Sequence, residues 1–195
     1  MPQTTGPVIV IAASMGGLEL LRTIIAALPA PCATSVFIVW HIGAHPSELP
    51  TILQHGSALP VEFATDGAAI LPGHVYIAPP DHHVLIEATR MRLSSGAKVH
   101  YARPAADPMF ISAAASHGQN VIGIVLSGGD GDGADGLLAI KQAGGRVIVQ
   151  DPAEAQAPSM PHTAIATVHP DAILPISAIA KLVGGLCGRS AQANS

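Results

Sequence analysis

The sequence predicts a three-layer α/β domain: a single, doubly wound, mainly parallel sheet with a small antiparallel hairpin. Four apolar runs rich in β-branched residues, at 7–14, 34–41, 121–128 and 145–151, show no polar alternation, as expected of strands covered on both faces. Segments with helical spacing separate them, and alternation of strand and helix is the pattern of α/β folds with right-handed crossovers. With 195 residues, 49% of them hydrophobic and 11% charged, the chain is long enough for one core and too apolar for disorder.

The first strand, PVIVIAAS, leads into GLELLRTIIAAL at 17–28, which sets Leu18, Leu21, Ile25 and Leu28 on one helical face. The second strand, TSVFIVWH, ends on His41. Residues 73–95 hold short strands broken at Pro79-Pro80-Asp81 and Ala88-Thr89, which predicts an antiparallel excursion and a mixed sheet. Asp107 and Pro108 read as N-cap and first residue of a helix to 117. After the 121–128 strand, a helix at 135–144 closes on Gly144. Helices at 160–167 and 175–186 flank a short strand, DAIL. The expected domain spans 1–187, and 188–195 form a flexible tail.

Composition excludes several functions. Nine Lys+Arg stand against thirteen Asp+Glu without any basic run, so nucleic acid is not an expected partner. The apolar runs are strand-sized, so no membrane insertion is expected. The opening MPQTTGP has no signal-peptide pattern, and the expected location is cytoplasmic. Cys32 and Cys187 lie far apart without CxxC spacing and read as reduced thiols. His41 and His45 lack the interior of a zinc-protease helix, and Lys141 stands where a calcium loop opened at Asp130 needs a glutamate. Neither a metal nor a cofactor is expected.

In an open parallel sheet, ligands bind beyond the carboxyl ends of the strands. Three groups stand there: Ser14 in the small-residue turn Ala12-Ala13-Ser14-Met15-Gly16, His41 after the second strand, and Asp132 in the loop Gly129-Asp130-Gly131-Asp132-Gly133. Together they are the parts of an activated serine hydrolase: nucleophile, base and orienting carboxylate. Spacing alone does not choose between Asp130 and Asp132. A rival reading takes Gly131, Gly133 and Gly136, with Asp151 beyond, as a dinucleotide fingerprint, but Asp130, Asp132 and Asp135 would repel a pyrophosphate there.

Five ordered segments, IAASMGG (11–17), DGAAILPGHVYIAPPDHHVLIE (66–87), ARPAADPMF (102–110), LSGGDGDGADG (126–136) and MPHTAI (160–165), run through the chain. With them the chain resembles the catalytic domain of the CheB-type protein-glutamate methylesterases of bacterial chemotaxis. It implies Ser14 as nucleophile, His41 as base, Asp132 as orienting carboxylate, and backbone amides of Met15 and Gly129 as oxyanion donors. It also implies release of methanol from glutamate γ-methyl esters on receptor helices, with deamidation of receptor glutamine as a second activity. A silent signalling module of the same fold is the alternative. Met15, Gly129, Asp130 and His162 depart from the family pattern, and Asp130 adds a carboxylate expected to raise the imidazole pKa. The family normally carries an N-terminal receiver domain, whereas this chain opens on the first strand, so a separate receiver or regulatory protein is the expected partner for control.

Overall fold

The computed structural model describes residues 6–41 and 44–192. Along the chain run β1 (Val8–Ala13), α1 (Gly17–Ala26), β2 (Ser35–Trp40), α2 (Leu49–Gln54), β3 (Val61–Phe63) and β4 (Val75–Ile77). They are followed by β5 (His83–Ile86), β6 (Met91–Ser94), α3 (Ala106–His117), β7 (Val121–Val125) and α4 (Ala134–Gln142). Last come β8 (Arg146–Gln150), α5 (Ser159–Val168), β9 (Ala172–Leu174) and α6 (Ile176–Gln192). Seven strands form one sheet in the order β3-β4-β2-β1-β7-β8-β9, and every pairing in it is parallel.

All six residues of β1 are buried because β2 and β7 flank the strand and helices cover both faces. Its alternate side chains feed two cores. Val8, Val10 and Ala12 pack with Phe37, Phe110 and Leu137 on the side of α3, α4 and α5, while Ile9, Ile11 and Ala13 pack with Leu21, Ile24 and Ile179 on the side of α1, α2 and α6. The unbroken apolar runs of the sequence are thus explained by a sheet with no wet face.

Several expectations are corrected. The sheet is not mixed: β4 joins the parallel sheet, and β5 with β6 makes a separate antiparallel pair. Pro79 and Pro80 have no N–H to continue a ladder after β4, and Asp81 at φ 59 turns the chain away. Ala105, not Asp107, is the N-cap of α3, which leaves Asp107 and Pro108 inside its first turn, where a proline loses no helical bond. α4 opens from the left-handed Gly133, and Gly144 lies one residue past its C-cap, Ala143. Neither α2 nor β3 was anticipated. The last helix continues to Gln192, beyond the tail boundary set at 188, because a helix already nucleated against the core gains a hydrogen bond with each added residue. Residues 193–195 of that tail lie outside the described residues.

Cys32 and Cys187 are not separate thiols but a disulfide with Cα atoms 4.7 Å apart, within the span such a bridge requires. Both are buried in the core on the side of α1, Cys187 as part of α6. Their 155-residue separation hid a contact that the crossovers create.

Candidate active site

Ser14 and His41 extend two adjacent strands. Ala13 of β1 and Trp40 of β2 are register partners, so the residue after each stands at the same level of the carboxyl rim, one strand spacing apart. The His41 N–H still reaches the Ala13 carbonyl at 3.3 Å. Asp130 and Asp132 come from the loop after β7, the neighbour of β1 on its other side.

The Ser14 backbone is held from three directions. Its N–H donates to the Ser127 carbonyl at 2.9 Å, and its carbonyl accepts from Trp40 Nε1 at 2.8 Å and from the Gly17 N–H at 2.9 Å. Gly16, at φ 77, makes the sharp entry into α1 that a side chain would resist. Beneath the turn, Ser127 Oγ donates to the Met15 carbonyl at 2.7 Å and accepts the Ala157 N–H at 2.9 Å. A Cβ at Gly128 would fall 3.0 Å from Ser14 Cβ and collide with the Met160 sulfur. Among the described residues, the amides of Met15 and Gly129 donate to no protein acceptor.

The imidazole of His41 lies between two carboxylates. Nε2 meets Asp132 Oδ2 at 2.7 Å and Nδ1 meets Asp130 Oδ2 at 3.2 Å. Both nitrogens can donate only in the imidazolium form. Burial draws the pKa of His41 down, but the hydrogen bonds and charges of Asp130 and Asp132 outweigh it and push it up to about 9. Burial raises the pKa of Asp130, yet the hydrogen bond and charge of His41 hold that carboxyl below its usual range. Among the described residues no hydrogen bond joins Ser14 Oγ to the ring.

Asp132 is fully buried, and its oxygens accept the Ala106 N–H at 2.5 Å and the Asp107 N–H at 3.0 Å. It therefore caps α3, not α4, the helix it precedes in sequence. Asp107 returns the favour, since its Oδ1 accepts the Gly136 N–H in the first turn of α4 at 2.7 Å. Its Oδ2 meets His100 Nε2 at 3.0 Å. Burial raises the pKa of Asp107, the Gly136 bond opposes this, and the charge of Asp132 adds to it. Sequence reasoning missed this reciprocal capping because Asp107 looked like an ordinary local N-cap.

Asp130 is not the loosely held residue that its glycine-rich loop suggests. Its Oδ1 accepts the Asp132 N–H at 3.1 Å, and its other oxygen is on His41. His162 is exposed on α5, and Met15 is 62% exposed beside Ser14. Of the glycines that spell a dinucleotide fingerprint, Gly131 and Gly133 form the turn that delivers Asp130 and Asp132 to His41, and Gly136 lies in the first turn of α4. Ligand atoms of His100, Asp107 and Asp135 come within 4.8 Å of one another, but both Asp107 oxygens are already engaged by His100 and Gly136. No described helix is long and apolar enough to cross a membrane.

Residues 9–183 match the family CheB methylesterase. A protein of Leptospira interrogans (strain Fiocruz L1-130), provisionally named protein-glutamate methylesterase/protein-glutamine glutaminase, is 38% identical over 89% of this chain and 91% of its own length. Protein-glutamate methylesterase/protein-glutamine glutaminase 1 of Xanthomonas euvesicatoria is 38% identical over 98% of this chain but 54% of its own length. The Thermotoga maritima CheB methylesterase catalytic domain superposes with a TM-score of 0.89 at 32% identity, covering 93% of this chain and 99% of that domain. The five sequence motifs, the parallel sheet and its carboxyl-rim site therefore have one source: the chain belongs to the CheB methylesterase family.

Proposed function

We propose that this chain hydrolyses glutamate γ-methyl esters on methylated helices of chemotaxis receptors, releasing methanol, and deamidates receptor glutamine by the same route. The observation that carries the reading is the placement of Ser14 and His41 one residue past the registered pair Ala13 and Trp40, with Asp132 on the ring. Ser14 Oγ attacks the ester carbonyl while His41 takes its proton. The amides of Met15 and Gly129 receive the oxyanion. His41 then returns the proton to the leaving methoxide, water repeats the sequence on the acyl-enzyme, and a glutamate carboxylate departs.

For this chemistry one ring nitrogen must face Ser14, and Nδ1 is the one that exchanges. Asp132 is buried and held by two amides at the N-terminus of α3, whereas the Asp130 side chain is 37% exposed and its contact with the ring is longer. Asp132 is thus the orienting carboxylate, and Asp130 competes with the serine. With its pKa pushed up to about 9, the ring is mainly imidazolium at neutral pH.

The test is methanol release from methylated receptor membranes. Ser14→Ala should abolish it while the fold, followed by circular dichroism, stays intact. Undiminished release by that variant would remove Ser14 from the chemistry.

A further inference from the structure

Next to the site, Val99 and Ala102 exchange both backbone hydrogen bonds, at 3.1 and 2.9 Å, around a two-residue turn made of His100 and Tyr101. Both residues have positive φ, 47 and 62. Such a turn is ordinarily made by Asn-Gly or Asp-Gly; histidine also visits the left-handed region, but a bulky side chain such as that of Tyr101 is strained there. Strain of this kind persists only where the surroundings impose it. Here His100 imposes it, because its ring is fixed to the buried Asp107, which is bonded in turn through its own N–H to Asp132. The turn is therefore tied by two hydrogen-bond steps to the carboxylate that orients His41. Tyr101 gains nothing visible from this arrangement: its side chain contacts no core and the residue is 98% exposed.

An aromatic ring held in an unfavourable backbone conformation and presented to solvent buries nothing against the core. Tyrosine offers a large rigid contact surface with few rotors, which makes it a frequent anchor of protein interfaces. Of the large apolar side chains exposed among the described residues, Met15 adjoins the nucleophile and Tyr101 is tied to its acid. We propose that Tyr101 is a docking residue for the helix that carries the scissile ester, positioned by the His100–Asp107 pair so that binding of the helix is registered to the catalytic residues. This rests on the esterase reading of the site and adds to it a determinant of protein substrate over small ester.

The experiment compares Tyr101→Asn and Tyr101→Phe with the parent protein on two substrates, methylated receptor membranes and p-nitrophenyl acetate. Asparagine accepts positive φ, so Tyr101→Asn should raise the unfolding midpoint while raising KM for receptor membranes about tenfold, the loss of one interface anchor. Its kcat and its rate on p-nitrophenyl acetate should not change, and Tyr101→Phe should behave as the parent. An unchanged KM overturns the proposal, and so does an equal loss on both substrates, which would place the ring in the chemistry. If the parent releases no methanol, the esterase reading fails separately. Co-sedimentation with methylated receptor membranes then decides: weaker binding by Tyr101→Asn supports docking, and equal binding overturns it.

Discussion

At the scale of single residues, the site turns on two aspartates only two positions apart. Asp132→Asn removes the charge and leaves one oxygen where two now serve Nε2 and the amides of α3, so kcat should fall by a factor of about 10³–10⁴. Asp130→Asn removes one charge from Nδ1. The pKa of His41 should then fall from about 9, and the rising limb of the pH–rate profile should move to lower pH with maximal turnover kept. Methanol release measured from pH 6 to 10 checks both; an active Asp132 variant beside a dead Asp130 variant would exchange their roles. The same shift acts on the fold. Because the folded pKa lies above the unfolded value of 6.5, the stabilisation is complete below about pH 6.5 and is lost as pH rises through 9. That Ser14, His41 and the loop of Asp130 and Asp132 share one rim was legible in the sequence, because strand-end positions in an α/β fold announce a rim. The Nδ1 contact of Asp130 was not, because glycines on both sides of an aspartate say nothing about where its side chain is held.

At the scale of elements, the exchange of caps between α3 and α4 joins two successive helices across the intervening strand β7. Asp107→Ala leaves the Gly136 N–H without its acceptor and frees His100, which should cost about 1–2 kcal/mol in urea unfolding. It should also lower kcat, because the first turn of α3 steadies Asp132. An Asp107→Ala protein with parental stability would show that the Gly136 contact adds nothing. The sequence announced that a helix begins near Asp107 but not whose amides that carboxylate serves, since capping between helices depends on packing and not on local spacing. Similarly, β4 went unrecognised as a sheet member because Val75–Ile77 is too short to distinguish a buried parallel strand from one arm of a hairpin.

At the scale of the molecule, the disulfide of Cys32 and Cys187 encloses most of the chain and ties α6 to the approach to β2. Closing so long a loop restricts the unfolded state, and removing the bridge should lower stability by about 2–4 kcal/mol. Urea unfolding with and without dithiothreitol measures this; identical midpoints would show that the bridge does not stabilise. Nothing in the spacing of two cysteines could reveal it. The overall architecture, by contrast, was plain from the sequence, because uninterrupted apolar runs alternating with amphipathic segments admit few packings.

The position of β1 has a consequence for synthesis. It is the fourth and central strand of the seven, and its partner β7 begins roughly 110 residues later. At ribosomal speeds of about 5–20 residues per second, the completed β1 waits roughly 5–20 s with one backbone edge unpaired. Ser14 and His41 emerge early, yet the loop bearing Asp132 and the Ser127 carbonyl that fixes Ser14 arrive only with β7. Nascent chains arrested before residue 121 should therefore be cleaved readily by protease and show no esterase activity, whatever the state of β1 and β2.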